Sequence, residues 1–183
     1  MAVPDHDAPE EVMWQGRFVT AKKRGRWEYV SRSRGIRAAV ILAVDEDDHV
    51  LLVEQYRVPL GRNCIELPAG LIGDDDGAED ENPLAAAGRE LEEETGYRAD
   101  TLEDMGCFYS SPGMVSEAFT LVRARGLTKI GEGGGVEGEN ITVHRIPLSG
   151  LQEFLDTKRD EGCGVDVRML LLLGQAIIEG EEA

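Results

Sequence analysis

The stretch AGLIGDDDGAEDENPLAAAGRELEEETGY, residues 69–97, decides the fold because its second half carries complete signals for one helix. Asn82 is a residue type favoured at a helix N-cap, and Pro83 suits the first helical position because no backbone N–H donor is needed there. Gly96 stands where a left-handed C-terminal residue is required. These signals predict a helix over residues 83–95.

The predicted helix separates apolar from charged side chains. Leu84, Ala87 and Leu91 recur at spacings of three and four residues and form the expected buried stripe. The other face carries one arginine and three carboxylates, which are Arg89, Glu90, Glu93 and Glu94. Glu90 and Glu94 stand one turn apart, and like charges at this spacing destabilise a helix by roughly 0.2–0.5 kcal/mol. A divalent cation between the two carboxylates would offset this repulsion, and oxygen ligands favour Mg²⁺ or Mn²⁺. The alternative interpretation is that the acidic face is simply solvated.

The order of residues in the helix distinguishes these interpretations. Residues 89–97, RELEEETGY, match the pattern R-E-U-x-E-E-x-G-U, in which U is apolar, and seven residues separate Glu81 from Arg89. This motif resembles the signature of the Nudix hydrolases. The family pattern places five residues between its first glycine and the glutamate, whereas ten separate Gly70 from Glu81. We therefore expect a five-residue insertion in the loop GDDDGAED, residues 73–80, with the helix face intact.

The composition limits the partners and the compartment. The 183 residues suffice for one well-buried domain, and the formal net charge of −17 disfavours nucleic acids and anionic membranes while permitting a small anionic substrate. The three cysteines have no C-x-x-C spacing, which indicates neither a disulfide framework nor a zinc site. The sequence does not open with a basic segment followed by an apolar stretch, so no secretory signal is expected and the cytoplasm is the expected location.

Strand and turn patterns divide the chain into three parts. Residues 1–10 are rich in Pro, Asp and Glu and predict a disordered tail, whereas residues 11–35 predict N-terminal strands at 17–21 and 26–34, joined by the basic turn KKRG at 22–25. Residues 36–183 form the expected main domain. Its predicted strands cover 37–45, 49–57, 64–67, 104–109, 118–124 and 140–146, and its last two helices cover 148–158 and 165–179.

Strand segments with few helices indicate an α/β or α+β domain. The resemblance to Nudix hydrolases implies more, namely an α/β/α sandwich with a mixed β-sheet. The N-terminal strands then form an additional antiparallel sheet.

Segments flanking the motif resemble ADP-ribose and ADP-sugar pyrophosphatases within that family. Residues 53–72, VEQYRVPLGRNCIELPAGLI, are similar to the segment before the motif in that group, and Pro112 follows Tyr97 by fifteen residues, as a proline does there. Residues 136–148, VEGENITVHRIPL, resemble the acidic loop and strand that supply the catalytic base. Residues 25–32, GRWEYVSR, resemble the segment that holds the adenine.

The resemblance implies roles for the acidic residues. Two or three Mg²⁺ ions, with Mn²⁺ as a substitute, would be held by Glu90, Glu93, Glu94 and the carbonyl of Ala69. Arg89 would orient these glutamates. Glu139 would be the general base, with Glu137 and Glu117 as alternatives.

The resemblance also implies substrate contacts. Arg57 would bind the diphosphate, while Arg32 and Glu28 would address the adenine. The aromatic rings of Trp27 and Phe18 would stack on the adenine from opposite subunits of a homodimer formed through residues 11–35. Further contacts would come from Leu71, Pro112 and Gly113.

Each of these residues also has an ordinary structural interpretation. Pro112 and Gly113 are typical of a turn, and Trp27 is more often a core residue than a base platform. Arg57 can pair with a surface acid, and glutamates in a glycine-rich loop are commonly solvated. Their joint occurrence around an intact motif favours the functional interpretation.

The sequence therefore predicts an Mg²⁺-dependent ADP-ribose or ADP-sugar pyrophosphatase that yields AMP and a sugar phosphate such as ribose 5-phosphate. A second hypothesis is a pyrophosphatase acting on GDP-mannose, NADH or a diadenosine polyphosphate. A third is a non-catalytic sensor that binds ADP-ribose. The complete set of glutamates argues against the sensor, because a pure binder need not keep a carboxylate cluster that weakens its helix.

Overall fold

The computed structural model describes residues 3–33, 36–72, 82–136 and 138–179. Within these ranges the chain forms eleven strands and three α-helices. The strands are β1 (Glu10–Gln15), β2 (Val19–Arg24), β3 (Trp27–Arg32), β4 (Arg37–Ala43), β5 (His49–Arg57), β6 (Arg62–Glu66), β7 (Ala69–Ile72), β8 (Tyr97–Tyr109), β9 (Ala118–Lys129), β10 (Thr142–Pro147) and β11 (Gly164–Val165). The helices are α1 (Pro83–Thr95), α2 (Leu151–Asp160) and α3 (Leu170–Glu179), with 3₁₀ turns at Val58–Leu60, Leu148–Gly150 and Val167–Met169. None of the described helices is long and apolar enough to cross a membrane.

The strands assemble into three sheets. Strands β1, β2 and β3 form the expected additional antiparallel sheet at the N-terminus. A second sheet has the order β7-β4-β9-β8 and is mixed, because β4 runs antiparallel to β7 and parallel to β9. The third has the order β10-β5-β6-β11 and is parallel only between β6 and β11. Several sheets with few helices confirm the predicted fold class.

Strand β4 is buried on both faces and joins the two halves of the core. Ala39, Ile41 and Ala43 pack in one cluster with residues of α1, whereas Val40 packs in a second cluster with Leu155 of α2. All five residues are fully buried. Because successive strand residues point to opposite faces, β4 places α1 on one side of the mixed sheet and α2 with α3 on the other.

The boundaries of α1 confirm the helix predicted over residues 83–95. The Asn82 side chain accepts a hydrogen bond from the backbone N–H of Leu84 at 2.9 Å, Pro83 is the first helical residue, and Gly96 has a φ of 73°. Ala87 and Leu91 are buried as predicted, while Leu84 is only half-buried. Ala86 is buried as well, so the stripe is wider than three residues.

Several strands differ from the sequence prediction because strand pairing depends on distant partners. Strand β1 and the short strands β7 and β11 were not predicted. Strands β8 and β9 extend well past the predicted segments, since Tyr97 to Ala99 pair with Leu127 to Lys129. The turn predicted at residues 22–25 was wrong, because these residues mostly belong to β2 and the turn lies at Gly25 and Arg26.

The C-terminal helices also begin later than predicted. The chain forms a 3₁₀ turn before α2, and residues 164–169 form β11 and a second 3₁₀ turn before α3. The Asp166 carboxylate caps this second turn by accepting a hydrogen bond from the N–H of Arg168 at 2.8 Å. The polar residues Asp166 and Arg168 therefore lie in a connection and outside α3.

The N-terminal sheet contacts the main domain through β3. The N–H of Val30 donates to the carbonyl of Met114, and the N–H of Ser116 donates to the carbonyl of Val30, each at 3.0 Å. Ahead of this sheet, Asp5 pairs with Arg26 at 2.8 Å. The insertion predicted at residues 73–80 lies outside the described residues.

Candidate active site

A cavity of about 990 Å³ lies beside the N-terminal end of β7 and the C-terminal half of α1. Residues predicted to be functional occupy its wall, and these are Arg32, Arg57, Ala69, Leu71, Glu90, Glu94, Glu117 and Glu139. Apolar residues form another part of the wall, including Pro59, Leu60, Val167, Leu170 and Leu171. A cavity with a few converging charged groups and apolar walls is typical of a small-molecule site.

Glu94 is the most deeply buried carboxylate of the helix, with 6% of its surface exposed. Its Oε2 accepts a hydrogen bond from the N–H of Ala69 at 2.9 Å, which ties α1 to the start of β7. The pKa of Glu94 is raised to about 8. Burial is the main cause, and the charges of Glu90 and Glu139 contribute to the rise. The hydrogen bond from Ala69 and the charge of Arg57 act in the opposite direction. Glu94 is therefore a carboxylate that lacks sufficient positive charge around it.

Glu90 lies one turn earlier and packs directly over Gly70. A Cβ atom at position 70 would overlap the Glu90 carboxyl group, so only glycine permits this position of the side chain. Burial raises the pKa of Glu90, and the nearby Arg89 lowers it through its charge and a hydrogen bond of 2.8 Å. Glu93 and Glu139 raise it again. Glu90 and Glu94 therefore lie in one region that has too little positive charge to balance two carboxylates.

Arg89 links two glutamates of the motif, Glu90 and Glu93. Its Nη1 donates to Glu90 at 2.8 Å and lies 3.4 Å from Glu93 Oε2. The Glu93 side chain is 40% exposed, so it lies at a more open position than Glu90. Glu92 points elsewhere, because both of its carboxylate oxygens bind Arg98.

The glycine-rich loop before β10 closes the C-terminal end of α1. The N–H groups of Gly134 and Gly135 donate to the carbonyls of Glu94 and Glu93 at 2.8 and 3.0 Å, so they satisfy carbonyls that a helix end leaves free. Gly133 has a φ of 67°, and a Cβ atom there would overlap the backbone of Thr95. These glycines are therefore needed for the loop to approach the helix.

The same loop carries Glu139 into the cavity. Its Oε2 accepts a hydrogen bond from the N–H of Val136 at 2.9 Å, and its charge acts on both Glu90 and Glu94. Glu117 also lines the cavity, but it is paired with Arg32 at 2.6 Å. Glu137 lies outside the described residues.

Arg57 belongs to a chain of charges that the sequence analysis missed. Its Nε and Nη2 bind the two oxygens of Glu66 at 2.6 and 2.9 Å, and the Glu66 side chain is only 5% exposed. Arg168 binds Glu66 from the other side at 3.3 Å and is itself held by Asp166 at 2.6 and 2.8 Å. The sequence signals for these residues were an acid between apolar residues at 66 and an Asp-x-Arg pattern before an apolar helix.

Other predicted residues lie away from this cavity in the single chain. Phe18, Trp27 and Glu28 are exposed on the N-terminal sheet, and Pro112 and Gly113 are exposed in the loop before β9. Trp27 is 55% exposed, so its interpretation as a core residue was wrong.

The carboxylates suit a hard divalent cation, although they do not form a finished binding site. Among the residues that the structure describes, no three His, Cys, Asp or Glu side chains converge closely enough to hold a metal. Glu90 and Glu94 nevertheless offer only oxygen atoms and repel each other, with Glu94 buried and Glu90 half-buried. A bound Mg²⁺ or Mn²⁺ ion would supply the missing positive charge.

Comparisons with known proteins agree with this geometry. Residues 34–160 match the family described as NUDIX domain. The GDP-mannose pyrophosphatase of Cronobacter sakazakii is 37% identical over 155 residues, which cover 80% of this chain and 76% of that protein. The ADP-ribose pyrophosphatase of Bacillus subtilis is 34% identical over 122 residues, 66% of this chain and 63% of that protein.

A solved structure described as an ADP compounds hydrolase has the same fold. It superposes with a TM-score of 0.65 at 24% identity and covers 96% of this chain and 95% of that chain. The aligned part of the chain spans less than two thirds of the length of the Bacillus subtilis relative. The family match nevertheless covers more than half of this chain, and the motif lies on α1. The chain therefore belongs to the Nudix hydrolase family.

Proposed function

We propose that this Nudix hydrolase cleaves the diphosphate of ADP-ribose and related ADP-sugars, giving AMP and a sugar phosphate. The observation that carries the proposal is the meeting of Glu90, Glu94 and Glu139 with Arg57 in one cavity. The names of the Bacillus subtilis relative and of the solved structure favour ADP compounds as substrates. With ADP-ribose, one water is consumed, the bond between one phosphorus and the bridging oxygen breaks, and ribose 5-phosphate is released with AMP.

Dependence on divalent metals is general in this family, and the proposed ion here is Mg²⁺. Glu90 and Glu94 would hold it, with Glu93 and the carbonyl of Ala69 as further ligands. When bound, the metal supplies positive charge to the phosphate oxygens and lowers the pKa of a coordinated water. Arg89 fixes Glu90, and the N–H of Ala69 fixes Glu94, so both carboxylates are oriented before the substrate arrives.

Glu139 is the proposed general base. Its Oε2 is engaged by the N–H of Val136, so Oε1 remains to accept a proton from the attacking water. Glu117 is the less suitable alternative, because one of its carboxylate oxygens already accepts a hydrogen bond from Arg32 at 2.6 Å and the other from the Ser110 hydroxyl at 3.4 Å. The glycines that dock the loop on α1 also set the position of Glu139.

Arg57 is the proposed contact to the diphosphate. Two of its nitrogens are held by Glu66, which leaves Nη1 without a hydrogen-bond partner among the described residues. An arginine held in this way loses little side-chain entropy when it binds a phosphate oxygen. Leu71 lies beside it on the cavity wall.

Adenine recognition is proposed to require a second copy of the chain. Phe18, Trp27 and Glu28 are exposed on the N-terminal sheet and do not line the cavity of their own chain. Two exposed aromatic side chains, Trp27 at the start of β3 and Phe18 in the connection before β2, fit a base platform offered to a partner's cavity. Pro112 and Gly113, in the loop beside the sheet, are proposed to contact the same substrate. The enzyme would then be a homodimer, placed in the cytoplasm because all three cysteines are free.

The Cronobacter sakazakii relative favours a second candidate, a GDP-mannose pyrophosphatase, since it matches this chain over a longer range at higher identity. A substrate panel separates the two. Full-length protein with Mg²⁺ is mixed with ADP-ribose, ADP-glucose, GDP-mannose, NADH and diadenosine tetraphosphate, and phosphate release is measured after phosphatase coupling. We expect the highest kcat/KM for ADP-ribose or ADP-glucose. A preference for GDP-mannose would replace the first candidate by the second, and zero turnover of all five compounds would favour a non-catalytic sensor.

A further inference from the structure

Arg168 and Asp166 form a second anchored cation next to Arg57. Arg168 donates from Nε to Asp166 Oδ1 at 2.6 Å and from Nη2 to Asp166 Oδ2 at 2.8 Å. Its Nη2 also reaches Glu66 at 3.3 Å, and Glu66 holds Arg57 through both of its oxygens. Two guanidinium groups are therefore joined through one buried carboxylate.

Both guanidinium groups keep one accessible nitrogen that has no hydrogen-bond partner among the described residues. Nη1 of Arg57 and Nη1 of Arg168 make no hydrogen bond within the described part of the chain. No buried side-chain nitrogen or oxygen in that part of the chain lacks a partner, so neither Nη1 is buried. Both residues line the cavity of about 990 Å³. Each Nη1 can thus donate to a ligand without breaking an existing bond.

The position of Arg168 is fixed from several directions. Asp166 also accepts a hydrogen bond from the N–H of Arg168, and the N–H of Asp166 donates to the carbonyl of Ile65 on β6 at 3.0 Å. The guanidinium carbon lies 5.7 Å from the centre of the Phe119 ring, which covers one face of the group. Burial lowers the pKa of Arg168, but its bonds and proximity to Asp166 raise it above its ordinary value, so the group stays charged.

We infer that Arg168 is a second anion-binding arginine of the substrate site, which contacts the diphosphate of the nucleotide substrate together with Arg57. The inference rests on the proposed function for the identity of the substrate. Glu66 sets the separation of the two guanidinium groups, and Asp166 is the positioning residue of Arg168. The C-terminal connection between β11 and α3 therefore contributes directly to substrate binding.

The inference is tested with Arg168→Met, which removes the charge but keeps much of the side-chain length. Since a hydrogen bond to a charged group contributes about 1.5–3 kcal/mol, KM for ADP-ribose should rise by about ten- to a hundredfold. The Kd of ADP, measured by calorimetry in EDTA, should rise in parallel. Arg159→Met is the matched control, because among the residues that the structure describes the Arg159 side chain pairs only with Asp156, at 2.6 Å on the exposed face of α2, and the substitution should leave both constants unchanged.

A double substitution separates direct contact from an effect transmitted through Arg57. If Arg168 binds the substrate itself, Arg168→Met should weaken ADP binding further in an Arg57→Met background. If Arg168 only holds Glu66 and Arg57 in place, the second substitution would change nothing, and the inference would be overturned. Asp166→Asn should give a smaller rise in the Kd of ADP than Arg168→Met.

Hydrolysis by the wild-type protein distinguishes failure of the proposed function from failure of the inference about Arg168. Failure to hydrolyse any nucleotide sugar would reject the proposed function, while a weaker Kd of ADP in Arg168→Met would still support the anion site. Normal hydrolysis by the wild type, with an unchanged KM and Kd in Arg168→Met, would reject the inference alone. A lower melting temperature of Arg168→Met with unchanged binding would also reject it, because the residue would then serve only the fold.

Discussion

Glu94 is an ionisable residue in an environment that disfavours its charged form. The sequence predicted Glu94 on the charged face of a helix together with Glu90 and Arg89, and all three residues do lie on α1. Its burial could not be predicted, because the residues that cover it come from β7 and from the glycine-rich loop far along the chain. Glu66 and Arg168 were missed for the same reason, since they are partners that lie 102 positions apart in sequence, and Asp166 was missed because its role is to hold Arg168.

Glu94→Gln should separate catalysis from folding. The amide can still accept the hydrogen bond from Ala69, so the fold should be kept, and replacement of a buried carboxyl group whose charged form is disfavoured should leave the melting temperature in EDTA at or above that of the wild type. Loss of a charged metal ligand should lower kcat by about 10²–10⁴-fold. Glu92→Gln is the control, because Glu92 pairs with Arg98 on the surface. Similar turnover in the two variants would remove Glu94 from the site.

Gly70→Ala should displace Glu90 while the chain still folds. The added Cβ atom would overlap the end of a long side chain, which can move aside, so we expect a shift of the carboxylate and a loss of kcat. Gly174→Ala is the matched control, because a Cβ atom there meets no atom within 4 Å and the helix should gain about 0.5–1 kcal/mol. Steady-state kinetics and thermal melting of both variants check this. An unchanged kcat in Gly70→Ala would show that the position of Glu90 is not critical.

Helix α1 was predicted correctly at both ends, whereas much of the strand pattern was not. The signals of the helix are local, since its cap residues adjoin it in sequence. Strand β1 carries no such signal, because all six of its residues are exposed and its identity comes from pairing with β2. Strand β8 was predicted too short because the alternation of its first four residues breaks at Thr101, and its extent is fixed by pairing with β9. Local chemistry thus located the motif, and distant pairing determined what surrounds it.

Glu54 joins four elements outside the cavity. It accepts hydrogen bonds from Asn63 near the start of β6 at 2.8 Å and from His144 of β10 at 3.0 Å, and it lies 3.1 Å from Lys158 Nζ of α2. Burial alone would raise its pKa, but the bonds from Asn63, Lys158 and His144 lower it to about 2. The unfolded chain has the ordinary value of 4.5, so the folded state binds fewer protons between these limits.

The stability contributed by Glu54 is therefore present above pH 4.5 and is lost as the pH falls towards 2. Glu54→Gln should lower the free energy of unfolding at pH 7 by about 1–3 kcal/mol, and the difference from the wild type should shrink towards pH 3. Urea unfolding at both pH values checks this. Glu46→Gln, in the exposed turn before β5, should match the wild type throughout. A difference for Glu54→Gln that stays constant with pH would contradict the assignment.

The molecule as a whole is strongly acidic, yet its cavity contains Arg32, Arg57 and Arg168. This distribution fits an anionic ligand that is met by local cations while the surface repels large polyanions. The exposed N-terminal sheet is the other feature at this level. Trp14, Phe18 and Trp27 are each more than half exposed, which is the kind of apolar surface that a second copy would cover.

Trp27→Ala tests whether this sheet completes a partner's site. Because Trp27 is 55% exposed, the substitution should barely change the melting temperature. Loss of base stacking should raise KM for ADP-ribose by about ten- to a hundredfold, with kcat almost constant, since stacking costs about 1–3 kcal/mol per base and the adenine lies away from the reacting phosphorus. Glu139→Gln should instead lower kcat with KM nearly constant.

Trp14→Ala, on the same sheet, separates base stacking from dimer formation, because it should raise KM only to the extent that it lowers the fraction of dimer. The mass of all three variants in solution is measured alongside the kinetics. An unaltered KM in Trp27→Ala, or full activity of a wild-type monomer at micromolar concentration, would contradict the shared site.

The most direct test of the central claim is the identity and ratio of the products that the wild-type protein forms from ADP-ribose and Mg²⁺. Chromatography at several times should show AMP and ribose 5-phosphate appearing in equal amounts, with neither formed in EDTA. Intact ADP-ribose after prolonged incubation with folded protein and Mg²⁺, or products other than this equimolar pair, would contradict the account.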